Sequence, residues 1–132
     1  MNYIILMETN DLYKTSEYII ELKFKDFKKK DNNYFIYNNK NTKNIFLFYL
    51  PSCKHCNKII ETWNEISVRF NNDFKFYSIN CDDIKNDNDL LCSSFKIKQY
   101  PSIKYTLKDN KYKIYKGTMD KDDLYYFMCL YI

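Results

Sequence analysis

The alternation of apolar and polar positions changes period several times along the chain. Ile45-Phe46-Leu47-Phe48-Tyr49-Leu50 is an unbroken apolar run, aromatic and branched, closed by Pro51. A run this short predicts a strand buried on both faces, as at the centre of an α/β sheet. After Cys53 the period becomes helical. Ile59, Trp63, Ile66 and Phe70 recur at steps of three and four, while Glu61, Asn64 and Glu65 fall elsewhere on the wheel. Phe74 to Ile79 alternates and reads as a further strand. Upstream, Tyr18 to Phe24 alternates loosely, with Ile20, Leu22 and Phe24 on one side, and also predicts a strand. Asp26 to Lys30 is expected to form a short helix. Residues 31–44 are expected to form a loop with a short extended piece around Tyr34-Phe35-Ile36-Tyr37.

Downstream, Leu90 to Phe95 predicts a short helix. Ser102 to Leu107 and Lys111 to Tyr115 flank Asp109-Asn110, a hairpin signal. Asp120 reads as an N-cap, with Asp123 three residues on, for a last helix through Leu124, Phe127, Met128 and Tyr131. The order is strand, helix, strand, helix, hairpin, helix. A βαβ half followed by a ββα half predicts an α/β fold with a central mixed sheet and helices on both faces. No repeat is visible. Residues 1–17 carry no clear period and read as an N-terminal extension to one domain over 18–132.

Composition narrows the function. The chain has 132 residues, 45% hydrophobic and 29% charged, which suits one globular core and excludes disorder over the whole length. The net charge of +4 is spread over scattered lysines. Lys28 to Lys30 is the main run and reads as a solvated surface. Arginine, the residue suited to gripping phosphate in two places, occurs only at Arg69, so no nucleic-acid partner is expected. No segment approaches the ~20 apolar residues of a membrane helix. Met1 to Met7 is short for a secretory leader and is followed by Glu8 and Asp11, and Met128 to Ile132 carries no retention motif. The expectation is a cytoplasmic or otherwise non-secreted chain with no membrane contact and reduced thiols at rest. Five cysteines, an odd number, argue against a purely structural disulfide framework.

The chemistry concentrates at Cys53-Lys54-His55-Cys56, where the apolar strand turns into the helix. Positions i and i+3 lie on one side of a first helical turn, so the two sulfurs can bond. Unpaired N–H groups and the dipole favour negative charge at that end, so Cys53 is expected to ionise more easily and attack disulfides, with Cys56 resolving the product. Lys54 and His55 are expected to lower the Cys53 pKa further. Two rival readings stand beside this one. Cys53, His55 and Cys56 would make three zinc ligands, with Cys81 or Cys92 as a fourth, although structural zinc sites usually show a second tightly spaced pair. The cysteine pair would otherwise be inert on a binding module. Trp63 reads as core packing, Cys81 and Cys92 as small buried hydrophobes, and Cys129 carries no role.

Phe48-Tyr49-Leu50-Pro51-Ser52-Cys53-Lys54-His55-Cys56 resembles the active-site signature of protein disulfide isomerase domains in the thioredoxin superfamily, Phe-Tyr-Ala-Pro-Trp-Cys-Gly-His-Cys. Tyr100-Pro101-Ser102 resembles the family's cis-proline segment, and Gly117 follows at the interval of its late glycine. Asn80-Cys81 and Leu91-Cys92 resemble two further cysteine positions of isomerase domains. The resemblance implies a thioredoxin-like fold and thiol–disulfide exchange at Cys53 and Cys56, without cofactor or metal. It implies a cis Tyr100–Pro101 bond against Cys53, Tyr100 and Pro101 in contact with substrate, and supporting roles for Lys54, His55 and Pro101. The implied partners are protein or peptide disulfides and dithiols, and a redox partner that supplies or accepts electrons. The chain departs from the family at four places. Ser52 stands for Trp, removing an apolar contact surface. Leu47 stands for a buried acid, Lys54 for Gly, and Glu61 for a proline that kinks the helix.

Overall fold

The computed structural model describes residues 16–36, 42–109 and 111–132; the proposed extension over 1–17 falls almost wholly outside them. The apolar run becomes β4 (Asn44–Tyr49), with all six residues buried. It is central because neither of its faces is polar. β5 (Lys75–Asn80) lies parallel on one side and β6 (Ser102–Thr106) antiparallel on the other. β1 (Ile19–Leu22) adds parallel to β5, and β7 (Tyr112–Ile114) antiparallel to β6, giving the order β1-β5-β4-β6-β7.

Among the described residues, three α-helices cover this sheet. α1 (Lys54–Arg69) and α3 (Lys121–Cys129) lie on one face. Cys56, Ile59, Trp63 and Ile66 of α1 meet Leu124, Phe127 and Met128 of α3 over Ile45, Leu47 and Tyr49. The indole of Trp63 donates to Ser78 Oγ at 3.0 Å, so its one polar atom is satisfied within the core. The other face carries α2 (Asn88–Ser94), whose Leu91 and Cys92 pack with Phe46, Phe48 and Ile79. Asn88 is fully buried. It donates to Leu22 O and Asn80 O and accepts from Phe24 N, tying the ends of β1 and β5 to α2.

Four local expectations are corrected. Residues 27–30 form a strand, not a helix: β2 (Phe27–Lys30) pairs with β3 (Asn33–Ile36) in a separate hairpin. Asp31 and Asn32 both take positive φ, 51° and 66°, as a two-residue hairpin turn requires, and Asp and Asn tolerate that region best after glycine. Phe27 anchors the hairpin in the core while Lys28 to Lys30 face solvent. β1 stops at Leu22 because Phe24–Asp26 form a 3₁₀ turn, closed by the Asp26 carboxylate accepting from Lys23 N at 2.8 Å. Ile20 shares a face with Leu22, yet at the sheet edge it stays 48% exposed. Asp120 occupies the N-cap of α3, but its carboxylate makes no capping bond. Thr118 bridges the turn instead, accepting from Asp120 N and donating to Asp123 at 2.6 Å.

The fourth correction concerns Cys81 and Cys92, which are joined in a disulfide rather than packed as free thiols. Cys81 follows β5 and Cys92 lies in α2, and packing on one sheet face brings their Cα atoms to 5.8 Å, within bridging range. The chain's one glycine, Gly117, passes under the ring of Tyr115, where a Cβ would lie 2.4 Å from the phenolic oxygen.

Candidate functional site

β4 ends in Leu50-Pro51-Ser52, and the chain enters α1 through Cys53 as its N-cap, with extended φ and ψ of −83° and 123°. The Cys53 sulfur accepts from Cys56 N at 3.3 Å, taking one of the unpaired amides of the helix start. On its other side, the Cys53 thiol lies 3.7 Å from the carbonyl oxygen of Tyr100. The Tyr100–Pro101 bond is cis, and both residues line a groove together with His55 of the cysteine motif. Cys53 is half-buried, whereas Cys56 is fully buried beneath it.

This asymmetry separates the two thiols electrostatically. Burial pushes the Cys53 pKa up, but hydrogen bonds from the Cys56 thiol and amide and from the His55 amide outweigh it, and the net shift is downward. Cys56 is pushed up to about 12, first by burial and then by its hydrogen bond to Cys53. One thiol is thus held toward thiolate and the other toward thiol. The means differ from expectation. His55 acts through its backbone N–H, while the Lys54 and His55 side chains point into solvent and are not among the causes of the shift.

Leu47 lies fully buried in the same cluster as Cys56. In its sheet row stand Ser78 on β5 and Glu21 on β1. The Glu21 carboxylate accepts a 2.6 Å hydrogen bond from the buried phenol of Tyr49. Sequence reading missed Glu21, because the alternation over Tyr18 to Phe24 shows only that it stands on the polar side of a strand. Tyr100 is a further link: its pKa is raised by burial first, and then by Cys56 and Asp82 nearby.

A groove of about 470 Å³ opens beside the pair. α1 contributes His55, Lys58 and Ile59, the cis segment Tyr100 and Pro101, and the approach to α3 Met119, Asp120 and Lys121. A larger groove of about 710 Å³, lined by tyrosines of β6, β7 and α3, lies apart from the cysteine pair. Among the described residues no cluster has the make-up of a metal site. Cys81 and Cys92, the candidates for a fourth zinc ligand, are bonded to each other.

A cysteine pair at a helix start, next to a cis-proline segment that leads into the neighbouring strand of a mixed sheet, defines a thioredoxin-fold domain. The chain belongs to the thioredoxin family, whose family model matches residues 23–129. It is 31% identical over 86 residues to DnaJ homolog subfamily C member 10 of Xenopus laevis, covering 64% of this chain and 10% of that protein. It is 31% identical over 87 residues to protein disulfide-isomerase 1 of Dictyostelium discoideum, covering 63% and 23%. The chain therefore spans less than a quarter of the length of these two relatives. Among solved structures, the J-Trx1 fragment of ERdj5 shares the fold with a TM-score of 0.72 at 20% identity, over 98% of this chain and 57% of that one. The thioredoxin of Fasciola hepatica matches with a TM-score of 0.59 at 13% identity, over 71% and 85%.

The split thiol pKa values carry a stability signature. Cys53 has its folded pKa below the ordinary 9.0, so its contribution grows as pH rises through the folded value and is complete above 9.0. Cys56 has its folded pKa raised, so its contribution is complete below 9.0 and is lost as pH climbs from 9.0 toward about 12. Once the two are joined in a disulfide, neither titrates. The stability of the reduced chain relative to the Cys53–Cys56-oxidised chain should rise toward pH 9 and fall above it. Urea midpoints of both forms across about pH 7 to 11 measure this. Tyr105 and Tyr115, each raised to about 12 mainly by burial, act in both forms and cancel. A flat difference would show that folding does not separate the two thiols.

Proposed function

We propose that the chain is a thiol–disulfide oxidoreductase acting on protein or peptide disulfides and dithiols. The observation that carries this is the geometry of the pair: a half-buried Cys53 at the start of α1, whose sulfur accepts from Cys56 N and lies 3.7 Å from Tyr100 O, above a fully buried Cys56. The Cys53 thiolate attacks one sulfur of a client disulfide. The client S–S bond breaks, a Cys53–client bond forms, and the departing client sulfur takes up a proton. Cys56 then gives up its proton and attacks the Cys53 sulfur, forming the Cys53–Cys56 bond and releasing the second client thiol. The client gains two electrons and the domain loses two. Run backwards, the same steps oxidise a dithiol. Either direction requires a redox partner to reset the pair.

The buried Cys81–Cys92 bond favours an oxidising compartment over a cytoplasmic one, because such bonds are rare where thiols are kept reduced. Among the described residues no helix is long and apolar enough to cross a membrane. A second reading, a thioredoxin-fold binding module with an inert pair, draws on Leu47, a hydrocarbon in the same core cluster as Cys56 at the position where isomerase domains have an acid.

Equilibration with glutathione, read by alkylation and peptide mass spectrometry, separates the two. An oxidoreductase gives a Cys53–Cys56 disulfide with a midpoint between about −270 and −180 mV, the range from thioredoxin to protein disulfide isomerase. If the pair forms no disulfide at any glutathione ratio, the binding module takes its place.

A further inference from the structure

We propose that the groove beside Cys53 selects client segments carrying an acidic residue close to the exchanging cysteine, with Lys58 as the selecting residue. This rests on the oxidoreductase reading and names the substrate class for that same site.

The groove has an apolar floor of Ile59, Pro101 and Met119 and a mainly cationic rim. Its cations are unequal. The Lys121 ammonium is held by Glu65 at 2.6 Å, with Glu61 also nearby. Lys58 is exposed and has no ion pair among the described residues, and the same holds for Lys54. Asp120 is the one acid in the lining, and it stands with Lys121 on the α3 side, across from Lys58.

The placing of Lys54 and Lys58 is unfavourable for the fold itself. They stand four positions apart on α1, where like charges repel. Lys54 opens the helix at the positive end of its dipole, in a first turn that holds no acid, and Lys58 stands one turn further on. In the reduced domain the Cys53 thiolate supplies a nearby negative charge. In the mixed disulfide that charge is gone, so the cations are left without it while the client occupies the groove. An anion from the client relieves this repulsion at the moment the complex must persist.

Geometry sets the spacing. Lys58 lies five residues beyond Cys53, about 7.5 Å along the axis of α1 and about 140° around it, so it is approached through the groove it shares with Tyr100 and Pro101. A client lying along the Tyr100–Pro101 segment crosses that offset in about two to three extended residues, which brings a side chain two residues from its cysteine within reach of the long Lys58 side chain.

The test uses two disulfide-linked peptides, identical except for Glu or Lys two residues from the cysteine, and hydroxyethyl disulfide as a small neutral probe. The wild-type domain should reduce the Glu peptide with a kcat/KM roughly threefold to fivefold above the Lys peptide at low salt. The ratio should shrink as salt is added and invert in Lys58→Glu. Taking a ratio within each variant removes any general change in activity. Equal values for the two peptides, or a preference unchanged in Lys58→Glu, would overturn the inference while exchange itself persists. No exchange with any of the three disulfides would overturn the oxidoreductase reading, and this inference with it.

Discussion

Replacing Cys53 with serine is expected to lower disulfide exchange by at least about three orders of magnitude, the scale on which loss of a covalent nucleophile registers. A serine hydroxyl does not attack a disulfide, because only a thiolate combines the needed nucleophilicity with ionisation near neutral pH. The same change should leave the fold intact. Cys53 is the N-cap of α1 and its sulfur accepts from Cys56 N, and serine is among the preferred residues for that bond. Loss of activity with an unchanged urea midpoint therefore isolates chemistry from stability. Cys56→Ser should behave differently. Cys53 still attacks, but nothing resolves the product, so client chains accumulate covalently on Cys53 and are visible on non-reducing gels. Exchange that survives Cys53→Ser, or Cys56→Ser that traps nothing, would remove the mechanism.

The fold was legible where one signal dominated. The apolar run of β4, short, branched and aromatic and closed by Pro51, pointed to a buried strand, and the steps Ile59, Trp63, Ile66 and Phe70 pointed to a helix with one buried face. The cysteine pair was legible because its spacing and its place at a strand-to-helix turn have one shared consequence. What escaped depends on contacts between distant segments. The β2–β3 hairpin was hidden because Asp31-Asn32 reads as a turn only once both residues are seen with positive φ. The Cys81–Cys92 bond requires α2 to fold back over the end of β5, which spacing along the chain does not reveal. Glu21 escaped for the same reason, since its link to Tyr49 crosses from β1 to β4. Charge at Lys54 and His55 is easy to read from sequence, whereas the backbone amides of His55 and Cys56 that point at the Cys53 sulfur are present at every residue and leave no mark in it.

Removing the Cys81–Cys92 bond should lower stability by about 3 kcal/mol, the loop-closure value for a bridge of this span. For a domain of this size that corresponds to a fall in Tm of about 10 °C. The cysteines are eleven positions apart, so the bond closes a short loop, and both are nearly buried, at 5% and 2% exposure. The double variant Cys81→Ala/Cys92→Ala is the suitable probe, since a single replacement would leave the other cysteine of the bridge as an extra free thiol beside Cys53, Cys56 and Cys129. Its effect should extend beyond the loop. Cys81 N donates to Tyr49 O at 2.9 Å, continuing the β4–β5 ladder to the last residue before the Leu50-Pro51-Ser52 turn that delivers Cys53. Burial also orders the two bonds by access. Mild dithiothreitol should open Cys53–Cys56 first, through the half-buried Cys53, while Cys81–Cys92 resists until the domain unfolds. That order lets the active pair cycle while the structural bond stays closed. An unchanged Tm in the double variant, or simultaneous reduction of both bonds in the folded chain, would remove the structural role of Cys81–Cys92.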